Sequence, residues 1–410
     1  MGLCRFRPPM SGRMGILWTL ASLKDAAAVE YGCMGHMMYG RVFLNRAGLS
    51  EGARLYSTHI DETDISMGDT KRLDRVICEI ISNDRPKAVF LLPSSVPMVI
   101  GTDLAALSRE LQPEYPDVPI IPFGRGSFDV HGCDGVRDAL TTLAETLPED
   151  TGIDPDPKFN IIGSCADMFR FGADARETVR IMRGAFGLNP LCIMTSDASV
   201  DDIRKMGGAR VNLVMRREGE KAAACLNKRF GTPCVSGRPY GVEGTLEWIE
   251  AVAEALGISP DQEFIRSEKT ECLRRLAYAA PMVRHILRSH PDEAAVSLGG
   301  HADVVKGILG YAVGEVGLKK GACWCDCPGM ASEDIPYLSE NEWTEAVRPY
   351  GNGLLMANAE VLMHFGCNQN LQISNPDTRW RVNPYEPPFV GFRGALNLAD
   401  LWFNAMLEKN

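Results

Sequence analysis

Short apolar runs alternate along the chain with longer stretches in which apolar residues recur every three or four positions. The short runs predict β-strands, and the recurring spacing predicts helices that bury one face. The predicted strands are Ala26–Tyr31, Ala88–Leu92, Pro119–Pro122, Asn160–Gly163, Leu191–Thr195, Val211–Met215, Ala295–Leu298 and Gly353–Met356. Strands that alternate with helices in this way indicate an α/β fold with mostly parallel sheets.

Helical patterns follow nearly all of these strands, and the main ones end at a Gly or Pro breaker. They are Asp103–Leu111, Val136–Leu147, Ala175–Phe186, Gly219–Phe230 and Thr245–Leu256. The polar, proline-bearing stretch Pro148–Lys158 is the best linker, and Ser289–Glu293 is a second candidate boundary. We therefore expect three α/β domains, at 1–152, 153–290 and 291–410, with a long helix over Asp261–Arg288 bridging the last two.

Composition narrows the class of protein. The chain has 410 residues, of which 45% are hydrophobic and 23% charged, and its apolar runs are too short for a membrane span. Its formal charge of -10 argues against nucleic acid as a partner. The segment Met1–Met14 lacks the apolar core of a secretory signal, so we expect a cytoplasmic protein whose 13 cysteines are not a disulfide framework.

Two cysteines flank the first predicted helix–strand unit. Cys4 precedes a helix that starts near Ser11 and runs through Met14–Leu23, and Cys33 follows the strand Ala26–Tyr31. Cys33 is thus expected at the carboxyl edge of the sheet and at a helix start, where thiolates are favoured and ligands bind. On spacing alone, two unrelated buried cysteines are the better interpretation.

A resemblance to a known family changes that weighting. The stretches Cys4–Arg46, Tyr56–Gly68 and Ser95–Asp103 resemble the N-terminal domain of nitrogenase component 1-type proteins. Phe230-Gly-Thr-Pro233 with Pro239-Tyr-Gly241 resembles the middle domain, and Pro388-Phe-Val-Gly-Phe-Arg-Gly394 resembles the segment before the last helix. The motifs occur in the family's order, so the chain is identified as a member, with three Rossmann-like domains expected.

The family includes nitrogenase subunits, cofactor-assembly scaffolds, dark-operative protochlorophyllide reductase, nickel-tetrapyrrole reductase and methylthio-alkane reductase. The resemblance implies a cytoplasmic reductase subunit that relays electrons from a separate, ATP-hydrolysing iron protein. The lack of a G-x-x-x-x-G-K-[ST] phosphate loop in this chain agrees with that division of labour. A non-catalytic scaffold for metallocofactor assembly is the alternative, because scaffolds share the fold.

The resemblance also implies an iron–sulfur cluster, 4Fe–4S or P-cluster-like, at a subunit interface. Three family cluster cysteines map onto Cys4, Cys33 and Ser95, the last being serine here. A cubane takes four ligands, so either a second copy or a homologous partner subunit has to supply the rest. Ser95 could bind iron through Oγ, or it could cap a helix or form a turn.

The family's catalytic cofactor is held by one cysteine and one histidine. Those places fall near Met215 and Arg381 in this chain, and neither is the family ligand. The resemblance therefore implies a subunit that lacks the catalytic cofactor, or one whose substrate site is built differently.

A second metal or substrate site is suggested by Cys323-Trp-Cys325-Asp-Cys327-Pro-Gly. On an extended strand the outer two thiols lie about 13 Å apart, too far for one metal ion, so a chelate needs a turn at Cys327. Cys367 could join from a neighbouring strand end. A buried strand that uses cysteine as a small apolar residue is the equal alternative.

His301 follows Gly299-Gly300 at a predicted helix start. This position suggests an anion or cofactor pocket, although a plain helix-start residue explains it nearly as well. Arg125, His131 and Asp134 cluster around a glycine-rich turn, for which a solvated loop is the better interpretation.

Overall fold

The computed structural model describes residues 10–32, 37–38, 41–42, 54–124, 131–152, 156–366, 371–375 and 387–407. The predictions for Cys4, Cys33, Cys367 and Arg381 fall outside these residues. So does Arg125 in the glycine-rich turn. No helix in the described part of the chain is long and apolar enough to cross a membrane.

Within the described residues the strands form three sheets, with the orders β2-β1-β3-β4, β6-β5-β7-β8 and β10-β9-β11, and every pairing between these strands is parallel. We call them the N-terminal, middle and C-terminal sheets. The strands are β1 Ala26–Tyr31, β2 Arg54–Ser57, β3 Ala88–Pro93, β4 Ile120–Pro122, β5 Lys158–Ser164, β6 Asn189–Thr195, β7 Val211–Val214, β8 Cys234–Ser236, β9 Ala295–Gly300, β10 Lys319–Cys325 and β11 Leu354–Met356. The predicted α/β class with parallel sheets is confirmed.

Helices cover the faces of these sheets. They are α1 Gly12–Leu20, α2 Glu62–Met67, α3 Lys71–Asp84, α4 Ser95–Val99, α5 Leu104–Leu111, α6 Gly132–Thr146, α7 Phe171–Phe186, α8 Val200–Arg204, α9 Glu220–Phe230, α10 Glu243–Leu256, α11 Gln262–Ser289, α12 Ala302–Gly310, α13 Glu340–Val347, α14 Ala359–His364 and α15 Gly391–Leu407. The long helix α11 packs against α7 and α15. The domain boundaries at 152 and 290 stay a prediction.

Burial explains which strands the sequence reveals. All six residues of β1 and of β3 are buried, as expected for central strands covered on both faces. The short edge strands β2 and β8 were not predicted, because most of their residues are fully or partly exposed and they form no apolar run. Helix α6 begins four residues before the predicted Val136.

Close packing between α1 and α6 accounts for that early start. A Cβ on Gly135 would lie 1.8 Å from Gly12 O, and one on Gly15 would lie 2.1 Å from Gly132 O. The two backbones therefore touch only because glycines occupy the contact. The segment before α1 also contacts α6, since Gly132 N donates a hydrogen bond to Met10 O at 2.7 Å. Glycines that weaken a helix in isolation here allow it to dock.

Candidate functional site

At the carboxyl edge of the N-terminal sheet, the ends of β1, β2 and β3 are joined by hydrogen bonds around Gly32. Gly32 N donates to Thr58 Oγ1 at 3.0 Å, and Ile60 N donates to Gly32 O at 3.0 Å, which ties the ends of β1 and β2. Ser94 N donates to Tyr31 O at 3.0 Å, which ties β1 to β3. A Cβ on Gly32 would lie 2.1 Å from Ser94 Oγ, so the two strand ends meet at a position that only glycine fits.

Ser95 is the one predicted cluster position that the structure describes. It begins the short helix α4, for which Ser94 is the N-cap, and it is partly buried. Large apolar side chains lie on the segments that follow the same sheet edge. Val99 is 75% exposed, Ile100 46% and Met67 78%. Single exposed apolar side chains are common on protein surfaces, and only a contiguous patch of them points to a partner.

A buried ionic network occupies the carboxyl ends of the middle and C-terminal sheets. Arg216 follows β7 and His301 follows β9, while Asp167 lies just beyond β5. Arg216 Nη1 contacts Asp167 Oδ1 at 2.7 Å, and Arg216 Nη2 contacts Glu218 Oε1 at 2.6 Å. The Arg216 side chain is 1% exposed and that of Glu218 is 0% exposed, so one guanidinium balances two carboxylates away from water.

Electrostatics keeps the Glu218 carboxylate of this network ionised. Burial alone raises the pKa of Glu218, but the Arg216 and His301 charges outweigh it and hold that pKa well below its ordinary range. Burial likewise opposes the charged form of His301, and the Glu218 carboxylate reverses this, so the pKa of His301 is raised. The interaction is a hydrogen-bonded contact of 3.1 Å between His301 Nε2 and Glu218 Oε1.

His301 is the helix-start residue that the second interpretation of its position predicted, and it also contacts an acid of the network. It is the N-cap of α12, where Nδ1 accepts a hydrogen bond from Asp303 N at 3.2 Å. Its other ring nitrogen reaches Glu218 across the interface between the middle and C-terminal sheets. The ring thus links two sheets as well as starting a helix.

Glu218, His301 and Asp303 also have the geometry of a metal-ligand set, because one ligand atom of each lies within 4.8 Å of the others. Each carboxylate already has a cation. Arg217 Nη2 contacts Asp303 Oδ1 at 2.6 Å, and Arg216 neutralises Glu218. A divalent cation would have to displace these arginines, so the arrangement fits an ion-pair network better than a metal site.

Cysteines lie beside this network at the end of β10. Cys323 and Cys325 are buried on the strand, where Cys323 Sγ contacts Gly321 O at 3.9 Å and Cys325 Sγ contacts Cys327 O at 3.2 Å. Cys327 lies beyond the strand, and the 3₁₀ turn Pro328–Met330 follows it. The three thiols therefore contact different partners.

Cys327 meets a cysteine that the sequence interpretation did not consider. Its Sγ lies 3.1 Å from Sγ of Cys133, the second residue of α6. The shared hydrogen bond raises the pKa of the buried Cys133 and lowers that of Cys327. Cys133 carried no local signal, because the apolar pattern of its helix begins only at Val136.

Met215 occupies the place where the resemblance puts a cofactor-binding cysteine. Its side chain is 4% exposed and lines a small cavity with Gly163, Ser164, Asp174 and Arg238, among other residues. Arg238 pairs with the buried Asp174, which also accepts a hydrogen bond from Phe389 N at 2.7 Å. A neutral thioether is a weaker ligand than a thiolate, so Met215 does not supply the cysteine ligand that the resemblance implies for the family's catalytic cofactor.

Sequence reasoning missed the arginine and the acids of the network. A usable signal existed, because Arg216, Arg217 and Glu218 follow closely on the fully buried strand β7. Charged residues at the carboxyl end of a buried parallel strand point to the edge where sites form. His131 and Asp134, interpreted as a solvated loop, instead form the capping box of α6.

Comparisons with known proteins agree with this architecture. Nitrogenase iron-molybdenum cofactor biosynthesis protein NifE of Clostridium pasteurianum is 24% identical over 290 residues, which are 68% of this chain and 60% of that protein. One of the subunits of the light-independent protochlorophyllide reductase of Prosthecochloris aestuarii is 28% identical over 237 residues, 58% of this chain and 44% of that protein. The chain thus spans about half the length of these curated relatives.

The solved structure of nitrogenase Cp1 at pH 6.5 superposes with a TM-score of 0.80 at 18% identity, over 100% of this chain and 94% of that chain. At this identity the superposition shows a shared fold. The sequence model of nitrogenase component 1 type oxidoreductases matches residues 11–320, which is more than half of the 410 residues. The chain therefore belongs to the nitrogenase component 1 type oxidoreductase family.

Proposed function

We propose that the chain is a subunit of a nitrogenase-like reductase that binds an iron–sulfur cluster at a subunit interface and relays electrons from an ATP-dependent iron protein to a substrate or cofactor site. Family membership supports the general class. The observation that carries the location is the contact between Gly32 and Ser94, where the ends of β1 and β3 meet.

Cys33 and Ser95 are each one residue beyond that contact in the sequence. Consecutive Cα atoms are about 3.8 Å apart, so we expect both residues to lie close to the same sheet edge. Cys4 precedes Met10 in the sequence, and the carbonyl oxygen of Met10 accepts a hydrogen bond from Gly132 N at the start of α6. In this proposal Cys4 and Cys33 are the thiolate ligands, and Ser95 shapes the edge through α4 without an essential ligand role.

An iron–sulfur cluster held there would supply low-potential, one-electron transfer. Two thiolates from one chain leave a four-ligand cluster incomplete, so a second copy or a homologous subunit has to complete it. In this proposal the partner subunit covers the exposed side chains of Val99, Ile100 and Met67 beside this edge. Because Met215 does not supply the cysteine ligand of the family's catalytic cofactor, the proposed role of this chain is the relay.

The experiment uses protein produced and purified without oxygen together with its copurifying partner. Cys4→Ser and Cys33→Ser should each remove most of the iron and the absorbance near 400 nm. Cys78→Ser, which changes an exposed thiol on α3, is the matched control and should keep both. Full iron content in the Cys4→Ser, Cys33→Ser double variant would refute the cluster assignment.

A scaffold for metallocofactor assembly is the second candidate, and the similarity to the NifE proteins favours it. A reductase subunit and an assembly scaffold differ in whether they support repeated catalytic turnover. With an iron protein, ATP and a low-potential donor, a reductase subunit sustains substrate reduction in its complex. A scaffold instead transfers its cluster or cofactor once to an acceptor protein and then stops.

A further inference from the structure

Two thiols from distant parts of the chain face each other where α6 meets the end of β10. Cys133 and Cys327 are 194 residues apart in sequence, and their sulfur atoms are 3.1 Å apart. Cys133 is 3% exposed, whereas Cys327 is only partly buried. An incoming reagent therefore reaches Cys327 first and Cys133 second.

The backbone holds both cysteines in place. Cys133 lies in the first turn of α6, and Gly132 N at the start of that helix donates a hydrogen bond to Met10 O. The carbonyl oxygen of Cys327 accepts hydrogen bonds from Cys325 Sγ at 3.2 Å and from Met330 N at 3.0 Å. Gly329 leaves the space beside Cys133 open, because a Cβ there would lie 2.8 Å from Cys133 Sγ.

Metal binding and thiol oxidation are the two chemistries that a pair of adjacent thiols offers. A zinc site takes four ligands. Among the described residues, the only His, Cys, Asp or Glu trio with ligand atoms close enough for one ion is Glu218, His301 and Asp303, which does not include these thiols. A disulfide needs only the two sulfurs, brought about 1 Å closer than the observed 3.1 Å. Oxidation therefore fits the geometry better.

We propose that Cys133 and Cys327 are a reversible thiol–disulfide pair that is oxidised by a low-molecular-weight disulfide. The Cys327 thiolate attacks one sulfur of that disulfide, whose S–S bond breaks and releases one small thiol. Cys133 then loses its proton and attacks Cys327 Sγ, which forms the protein disulfide and releases the second small thiol. Two electrons and two protons pass from the protein to the two small thiols.

The bond would join elements that are otherwise held by packing and hydrogen bonds. It would attach α6, which packs on α1 beside the N-terminal sheet, to the end of β10 in the C-terminal sheet. The oxidation state of this pair would thus set how firmly the two regions are linked. This inference does not depend on whether the chain binds a cluster.

The test is to incubate the full-length protein with oxidised glutathione, block free thiols and map the peptides by mass spectrometry. We expect a Cys133–Cys327 linked peptide that disappears on treatment with a dithiol reductant. Cys133→Ser should instead leave Cys327 as a stable mixed disulfide with glutathione, because no resolving thiol remains. Cys323→Ser, on the strand that leads to Cys327, is the control and should form the link at the rate of the unaltered protein.

Two results would overturn the proposal. One is the absence of the linked peptide under conditions in which the exposed Cys78 becomes glutathionylated. The other is a metal ion in the reduced protein that both thiols hold and that protects them from exchange, since the pair would then be a metal site. Circular dichroism of each variant confirms that a negative result does not come from unfolding.

Discussion

Replacing Arg216 with methionine tests whether the buried network is an electrostatic link between the middle and C-terminal sheets. Methionine retains most of the side-chain length and removes the charge. Arg216 is 1% exposed, and its partners Asp167 and Glu218 are 8% and 0% exposed. The change therefore leaves two carboxylates out of water without their shared cation, with only His301 still facing Glu218.

Removing one partner from a buried ion pair costs about 3–5 kcal/mol of unfolding free energy. Unfolding of globular proteins carries an entropy of about 2.1 cal/mol/K per residue, which for 410 residues is about 0.9 kcal/mol/K. The variant should therefore unfold at a Tm about 3–6 °C lower, if the chain unfolds as one unit. Circular dichroism at 222 nm during heating measures the change.

Arg274→Met is the matched control. Arg274 also pairs with a glutamate, Glu271, but these side chains are 71% and 43% exposed on α11. Solvent screens such a pair, so its loss should leave Tm unchanged within error. An equal decrease in both variants would refute the argument, because burial would then not be the cause.

The pH dependence gives a second check with a definite sign. Glu218 has a pKa lowered from 4.5, so its stabilising contribution is present above pH 4.5 and is lost as pH falls through the lower folded pKa. Without Arg216, burial favours the protonated acid and raises that pKa. The difference in Tm between Arg216→Met and the unaltered protein should be largest near neutral pH and should narrow in acid. A difference that does not vary with pH would contradict the mechanism.

Three further predictions concern the two candidate sites. Iron-loaded protein should never be monomeric by size-exclusion chromatography with light scattering, because one chain supplies too few ligands, and an active cluster-bearing monomer would reject this. Gly32→Ala should lower iron content by separating the ends of β1 and β3, whereas Gly124→Ala, which has open space around it, should not. Replacing Cys323, Cys325 and Cys327 together with serine should leave iron content unchanged, since their thiols contact different partners, and a loss of iron would support a second metal site there.

The fold was largely predictable because its central strands are buried on both faces. Ala26–Tyr31 was predicted at its observed bounds, and the N-cap Ser11 accepts a hydrogen bond from Met14 N as the sequence suggested. The errors occur where local pattern and tertiary contact disagree. Glycines at 132 and 135 argue against a helix locally, yet α6 begins there because those glycines allow it to contact α1.

The candidate sites were predictable only where one short stretch carries the signal. His301 was singled out because it follows two glycines at a strand end, and it does cap α12. Its partner Glu218 is 83 residues away, and Cys133 and Cys327 are 194 residues apart. No spacing rule connects such residues, because the fold of the chain between them determines which side chains come into contact. A single sequence therefore shows which positions carry functional residues more readily than it shows which of those residues contact each other.

The pairing of buried carboxylates with arginines affects where a metal ion could bind in this chain. At the junction of the middle and C-terminal sheets each carboxylate of the network faces an arginine, so Glu218 and Asp303 have little capacity left for a cation. A site that bound a metal or reduced a substrate there would have to break pairs that stabilise the fold. At the edge at Gly32 the described strand ends are joined through backbone and hydroxyl groups, and the buried ion pair nearby is that of Arg13 with Glu30 on β1. Under the proposed function, the cluster chemistry is expected at that edge, where a partner chain adds the missing ligands.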